Sequence, residues 1–408
     1  MNKQAYIGPL LALCMSCIAT AQTPAKGKPT LEGPQPGTSM PSNSKSPPVE
    51  PGHKKRVRPD YVRTDRVAMV GATPVTVVQL EEAVREAQGQ RDAEVARRLS
   101  GLELTERLSK ARLASWEADL PGKKARKELL ALADSSAFLE PPATEIPALA
   151  PPDLAAQERM LAQSAGYLEK TIPTFPIFSA TEVMARFQNA SEDPDSDEEE
   201  DSYGEPWRAL SNVKASVVYS DGNHANDPGG RHGEKGKEEI GLVTKGAFGP
   251  ILSMALLDGS HGSITWSHWE QDAAGPMGVF RYRVPETESH YEVSYRSLTE
   301  KGKPVILQRR VGYHGEIAID PVTGTIRRIT MVADLASNLP VDRSDLMVEY
   351  GPVEMSGKTY NLPMRSVTIS SGRSSDQVEN DDNGSDEETL LQDVVFGDYR
   401  PIGSVSRH

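Results

Sequence analysis

Residues 317–335, IAIDPVTGTIRRITMVADL, decide the fold because they contain two apolar-rich strand patterns separated by a tight turn. Pro321 stands where a type I turn needs a fixed φ, and Gly324 stands where the chain needs a positive φ. A turn this short joins neighbouring strands antiparallel. The stretch therefore predicts a β-hairpin.

The alternation of apolar and polar residues, which is typical of strands, recurs through the C-terminal half. It predicts further strands at 215–220, 264–268, 280–284, 291–295, 305–311, 346–350, 364–369 and 391–396. Short connections with one apolar face per strand indicate an antiparallel meander, here over residues 207–403. Its apolar face needs a cover. Residues 250–259 predict one, a short and very apolar helix that begins at Pro250.

The periodicity of residues 67–172 is helical instead. Thr76 is expected to cap a first helix that ends near Gly89, and Asp92 opens a second. Two more helices are expected at 123–134 and 153–170. These short amphipathic helices need partners, so they indicate a small helical bundle. The predicted fold class is α+β, with this bundle followed by a curved antiparallel β-meander, a half-barrel, around the short buried helix.

The N-terminal residues 1–21 have the pattern of a cleavable secretory signal peptide, with Lys3, an apolar run at 6–18 and the small residues 19–21. Lipidation at Cys17 is the less favoured alternative, because the residues before it fit a lipoprotein signal poorly. Cleavage after Ala21 removes both cysteines, which excludes disulfides and cysteine nucleophiles. We expect an exported protein, periplasmic or secreted, with outer-membrane association as a further option.

Charge and composition define two linkers and exclude one class of partner. Residues 22–66 are basic and rich in Pro, Gly and Ser, which predicts a disordered linker, and 173–206 is expected to be a linker with an acidic disordered loop. The net charge is −13, and nine acids lie at 192–205 and seven at 376–388 without any Lys or Arg. Because the acidity belongs to these two segments, nucleic acid is not an expected partner. No later run is apolar enough for a transmembrane segment in the mature chain.

Aromatic residues at alternating positions of three successive strands form the candidate ligand pocket. They are Trp266, Phe280, Tyr282, Tyr291 and Tyr295. Such a stripe lines a pocket for an acyl chain or, in the more common case, packs in a core. The sequence alone leaves both interpretations open.

A His-x-Glu pair occurs twice, as His268 with Glu270 and as His314 with Glu316. Alternation places Trp266, His268 and Glu270 on one face of their strand. With the second pair on a neighbouring strand, two nitrogens and two carboxylates are available to a metal such as zinc. The favoured alternative is that His268 and Glu270 are solvated or hydrogen-bonded at the end of a strand. The aspartates at 193, 195 and 197 depart from a calcium loop at its decisive sixth and twelfth positions.

Catalytic motifs are missing from the sequence. It contains no Gly-x-Ser-x-Gly elbow, no His-Glu-x-x-His pair and no phosphate-binding glycine loop. We therefore expect no catalytic residues and no cofactor.

Several segments resemble secreted proteins of unknown function from acidobacteria, from about residue 67 to the C-terminus. They are LELTERL at 102–108, WEADLPG at 116–122, GAFGP at 246–250, WSHWE at 266–270, GYHGE at 312–316 and VEYGPVE at 348–354. This resemblance implies export and no known activity.

The β-rich half distantly resembles the periplasmic lipoprotein carriers, through its meander, the turn at 320–324, the helix after Pro250 and the strand at 394–399. In that group a curved sheet shelters lipid. The resemblance implies a non-catalytic binding module for an apolar ligand or a lipid moiety. One alternative is a structural interaction module with a packed interior and an envelope protein as partner. The other is a metal-dependent hydrolase, which requires His268, Glu270, His314 and Glu316 to converge.

Overall fold

The computed structural model describes residues 72–189, 207–220, 223–226, 241–242, 250–272, 275–298, 304–336, 339, 341–372 and 388–402. The predicted signal peptide with Cys17, the basic linker and the acidic run at 192–205 lie outside these residues. So does the second acidic run, except for Glu388. No helix among the described residues is long and apolar enough to cross a membrane.

Six α-helices are described. They are α1 (Val77–Glu86), α2 (Asp92–Ser100), α3 (Lys110–Asp119), α4 (Lys123–Ser135), α5 (Leu154–Thr171) and α6 (Pro250–His261). The predicted caps are present. Thr76 Oγ1 accepts from the Gln79 amide at 3.2 Å, and Asp153 Oδ1 accepts from the Ala156 amide at 2.8 Å. Helix α6 continues past Gly259, where the sequence predicts its end.

Fifteen strands are described, from β1 to β15. Their bounds are β1 Thr73–Val75, β2 Leu102–Leu104, β3 Phe178–Asn189, β4 Arg208–Ser220, β5 Asn223–Asn226, β6 Gly241–Leu242, β7 Ser263–Asp272, β8 Gly275–Val284, β9 Glu292–Leu298, β10 Pro304–Arg310, β11 Gly312–Ile319, β12 Ile326–Asp334, β13 Val341–Met355, β14 Lys358–Gly372 and β15 Glu388–Pro401.

Helices α1 to α4 share an apolar core of their own. It contains Val77, Leu80, Val84, Val95, Leu99, Leu104, Leu113, Trp116, Leu129 and Leu132. Within this N-terminal part the chain also forms a two-stranded parallel sheet, in which Thr73 pairs with Leu102 and Val75 with Leu104. A three-residue strand is too short to show alternation, so the sequence pattern does not predict β1 and β2.

Ten strands form one large sheet in the order β5-β4-β3-β15-β14-β13-β12-β11-β8-β7. All of its pairs are antiparallel, and the predicted α+β class with a large antiparallel sheet is confirmed. The sheet is not closed into a barrel, since β5 and β7 stand at opposite ends of the order.

The meander is interrupted and extended. The two strands between β8 and β11 form a second sheet together with the earlier β6, in the order β10-β9-β6, and the chain then returns so that β11 pairs with β8. At the other end, β15 pairs with β3 over most of its length. The first long strand and the last one are therefore neighbours.

Strand β3 corrects the predicted linker at 173–206. Phe178 and Phe187 are fully buried, and β3 pairs with both β15 and β4. Most residues of β3 between these two phenylalanines are only partly buried, so no clear apolar alternation marks the strand in the sequence. The large sheet therefore begins well before residue 207.

Helices cover both faces of the large sheet. One face packs on α5 and α6, with Met160, Leu168, Ile251 and Leu252 in the same apolar cluster as the sheet residues. On the other face Ala131 of α4 packs with residues of β3, β13, β14 and β15. Helix α5, expected to belong with the helical bundle, thus packs on the sheet, because its apolar stripe faces β-strand residues.

The turn between β11 and β12 has the predicted chemistry. Asp320 Oδ1 accepts from the Val322 and Thr323 amides at 2.8 and 3.0 Å, and Gly324 has φ +71°. A Cβ atom at Gly324 would lie 2.7 Å from the carbonyl carbon of Gln163 in α5. The turn therefore also depends on the close approach of a helix.

We predict that Gly324→Ala destabilises the protein more than Gly357→Ala. Both glycines have positive φ, which costs an alanine about 1–2 kcal/mol. At Gly357 nothing lies within 4 Å of the added Cβ, whereas at Gly324 it meets helix backbone. Thermal unfolding followed by circular dichroism measures the two shifts, and equal shifts would show that the contact with α5 has no energetic role.

Candidate functional site

The predicted aromatic stripe lies inside the core that the sheet forms with α5 and α6. Phe280, Tyr282 and Tyr291 are buried, and Trp266 packs on Phe280 with 5.4 Å between ring centroids. Tyr313 joins the group, 5.7 Å from Tyr282 and 5.4 Å from Tyr291. The side chain of Tyr295 lies outside the described residues.

Hydroxyl groups within this core are satisfied by the protein itself. Tyr282 donates to the carbonyl oxygen of Thr330 at 2.6 Å, and Tyr313 donates to Asp258 Oδ2 at 2.9 Å. Burial raises the pKa of Tyr291 to about 12, so its hydroxyl keeps its proton at neutral pH. The described aromatic residues therefore form a packed interior with internal hydrogen bonds.

A β-bulge on β7 separates the residues of the segment WSHWE onto two faces. Trp266 pairs with Phe280 and His268 with Val279, so one residue of β7 has no counterpart on β8. Trp266 and Trp269 consequently both pack on the aromatic core, 4.9 Å apart. His268 and Glu270 lie on the other face. The prediction that Trp266 shares their face is wrong, because it assumes unbroken alternation.

Glu270 is held by two buried guanidinium groups on this second face. Arg107 Nη2 donates to Glu270 Oε2 at 2.6 Å, and Arg328 donates to both carboxylate oxygens at 2.5 and 2.9 Å. Arg107 follows β2, and Arg328 lies on β12. The carboxylate thus joins three distant parts of the chain.

The electrostatics of this contact favour the ionised form of the acid. Burial alone raises the pKa of Glu270, but the charges of Arg328 and Arg107 outweigh it and hold the pKa far below its usual range. Burial lowers the pKa of Arg107, while the carboxylates of Glu270 and Glu316 raise that of Arg328 despite its burial. The three groups therefore form a buried, charged network.

Glu316 and Glu140 extend the network towards solvent. Glu316 Oε2 accepts from Arg328 at 3.3 Å, and its other oxygen accepts from Arg281 Nε at 3.3 Å. Arg281 also pairs closely with Glu140, which follows α4. His268 lies beside them, with its Nδ1 2.9 Å from Ser267 Oγ. We call these residues the polar cluster: Arg107, Glu140, His268, Glu270, Arg281, Glu316 and Arg328.

His314 does not join the polar cluster. It pairs in register with Arg283 of β8, whereas His268 pairs with Val279, four positions further along that strand, or about 13 Å. Its Nδ1 lies 2.9 Å from Asp334 Oδ1. The structure thus brings together His268, Glu270 and Glu316 of the predicted metal set and places the fourth member elsewhere.

A second buried network lies further along the same face. Arg365 of β14 pairs with Asp134 of α4 and with Asp393 of β15. Burial raises the pKa of Asp134 well above its usual value, and Arg365 offsets this only in part. In the register of the sheet, Glu349 stands between Arg328 and Arg365. Charges of alternating sign therefore cross β12, β13 and β14.

Sequence reasoning missed the arginines and the helix carboxylates. Arg328 and Arg365 interrupt strand patterns at positions that face inward, and a charged residue at such a position is the one signal that points to a buried pair. Arg107 and Asp134 give no comparable signal, because each is buried only by docking of the helices on the sheet.

No model of a known protein family matches the chain, and no curated protein matches it either. The fold defines a mixed α+β protein with a large open antiparallel sheet.

We predict that Glu270→Gln costs about 3–5 kcal/mol of unfolding free energy at pH 7, since it removes the nearest carboxylate of two buried guanidinium groups, which then share Glu316 alone. Denaturant titration measures this. The folded pKa of Glu270 is depressed, so its stabilisation is complete above about pH 4.3 and is lost as the pH falls. The difference between wild type and variant should therefore shrink below that pH.

Glu140→Gln is the matched control, because the Glu140 side chain is 63% exposed and its ion pair contributes less than about 1 kcal/mol. Equal stability of Glu270→Gln and wild type at pH 7 would contradict a structural role for this carboxylate.

Proposed function

We propose that this chain is an exported, non-catalytic envelope module with a packed interior, which acts through its surface as a protein-interaction module. The observation that carries the proposal is the filled aromatic face. Ile251 and Ala255 of α6 and Met160 of α5 pack in the same cluster as Phe280 and Tyr313. Export itself is inferred from the signal-like sequence at residues 1–21.

A carrier of apolar ligands is the competing function. The open antiparallel sheet that covers α5 and α6 with one face agrees with the predicted half-barrel, and the resemblance to lipoprotein carriers suggests lipid as the ligand. In the described residues, however, helix side chains take the space in which an acyl chain would lie against Phe280 and Tyr282. Ligand entry would require α5 or α6 to leave a close-packed core.

A metal-dependent hydrolase has less support. Its four predicted ligands do not converge, because His314 lies about 13 Å along the sheet from the row of His268 and pairs with Asp334. Glu270 is already held by two buried arginines. We therefore do not assign a reaction.

The face of the sheet that carries the polar cluster also carries the candidate contact surface, an exposed apolar pair on adjacent strands. Val395 of β15 stands directly opposite Val183 of β3, and they are 46% and 45% exposed. Lys214 of β4 stands opposite Val183 on its other side. We take this exposed apolar pair as the candidate contact surface, and the adjacent lysine favours an acidic partner.

We predict that the mature protein, purified without detergent, carries no bound lipid in native mass spectrometry. Because the aromatic face is packed, a fluorescent fatty acid should show no saturable binding. A co-purified lipid, or saturable binding that Phe280→Ala weakens, would support the carrier and contradict the packed module.

We further predict that the double variant Val183→Glu, Val395→Glu loses association with the cell envelope in fractionation of the producing cells. Two carboxylates on this surface would be buried against the partner or repelled by it. Val322→Glu is the matched control, since Val322 is 83% exposed at a turn tip. All three proteins should have the same melting temperature. An unchanged distribution of the double variant between envelope and soluble fractions would exclude this surface.

A further inference from the structure

The outer part of the polar cluster holds three side chains with the chemistry of metal ligands. One oxygen of Glu140, one oxygen of Glu316 and one ring nitrogen of His268 lie within 4.8 Å of one another. They come from the segment after α4, from β11 and from β7. Because carboxylates often cluster without binding a metal, the argument for a site rests on His268.

The imidazole of His268 is buried, and only one of its two ring nitrogens has a hydrogen-bond partner among the described residues. Its side chain is 10% exposed, and Nδ1 is engaged with Ser267 Oγ. Nε2 is buried and has no hydrogen-bond partner among the described residues, and Glu270 Oε2 is 3.8 Å from it. A buried polar atom without a partner costs about 1–3 kcal/mol, so its retention needs a reason. Ligating histidines have this arrangement, with one nitrogen fixed and the other aimed at the ion.

The charges of the polar cluster indicate which guanidinium group a cation would replace. Three carboxylates, of Glu140, Glu270 and Glu316, are balanced by three guanidinium groups. Those of Arg107 and Arg328 are buried on Glu270, whereas Arg281 is 51% exposed and spans Glu316 and Glu140. Only Arg281 can turn into solvent without leaving a charge in the core.

We propose that Glu140, His268 and Glu316 form a binding site for a divalent transition-metal ion, with zinc as the best fit, and that Arg281 occupies this site as a counter-ion in the absence of metal. Binding is an exchange. The guanidinium group of Arg281 moves to solvent, the ion takes its place between the two carboxylates, and the imidazole Nε2 gains its partner. Zinc accepts this mixed set of one nitrogen and two oxygens, whereas calcium and magnesium prefer oxygen alone.

Closure of the site requires a small movement. Ligand atoms around tetrahedral zinc lie about 3.4 Å apart, given bonds of about 2.1 Å. The three ligand atoms lie within 4.8 Å of one another, so at most a small contraction completes the site. Glu140 is the residue that can close it, because its side chain is largely exposed and lies outside regular secondary structure. The buried carboxylate of Glu270 stays with Arg107 and Arg328 and orients the surrounding groups.

The exchange mechanism gives Arg281 and Glu140 opposite effects. We expect the untagged mature chain to bind one Zn²⁺ in competition with a chromophoric chelator at pH 7. Glu140→Gln should weaken binding at least tenfold, since it removes a ligand, and Arg281→Gln should tighten it at least tenfold, since it removes the competing cation. Arg283→Gln, on the same face of β8 and 70% exposed, is the matched control and should leave affinity unchanged.

Cobalt(II) gives an independent readout. Co²⁺ added to Arg281→Gln should produce the visible absorption bands of a tetrahedral site, and the added substitution Glu140→Gln should abolish them. Melting temperatures without metal verify that each variant folds. The proposal is overturned if the wild type binds no Zn²⁺, if Glu140→Gln leaves the affinity unchanged, which means an adventitious ion only, or if Arg281→Gln weakens binding.

Discussion

The structure depends on one buried carboxylate, Glu270, and the two guanidinium groups that converge on it. Arg107 comes from the helical part of the chain, Arg328 from the middle of the sheet and Glu270 from an edge strand. A buried ion pair adds little stability compared with apolar residues of the same shape, yet the removal of one of its charges is strongly destabilising. Their effect is therefore to specify where the helices dock on the sheet.

At the other end of the interface, Arg365 pairs with Asp134 and Asp393 and likewise connects a helix to the sheet. Between the two networks, Glu349 alternates with Arg328 and Arg365 across paired strands, and Lys110 at the start of α3 lies 3.5 Å from its Oε2. A shift of the helical layer by a single turn would leave several charges buried without partners. The charge pairs consequently favour one arrangement of the interface, which also contains the apolar contacts of Ala131 with the sheet.

The parts of the fold that depend on local chemistry were predictable from the sequence. Thr76 and Asp153 cap the starts of two helices. The turn at 320–324 predicts its hairpin, and the apolar run after Pro250 predicts a buried helix. The parts that depend on distant contacts were not. Strand β3 is recognised only through its partners β4 and β15, the bulge beside Ser267 breaks the alternation on which face assignment rests, and the ends of the charge network meet only in three dimensions. Of the site, His268, Glu270 and Glu316 were predictable as chemistry, but their arginine partners were not.

The pairing of β15 with β3 has a consequence for the order of folding. Pro401 lies beside Phe178, so the two strands meet only after about 200 further residues have been made. The core of α1 to α4 is local and can form early, whereas the edge of β3 that faces away from β4 must wait for β15. Since a chain is synthesised from its N-terminus, this edge of β3 remains open to aggregation until the last strand has been made.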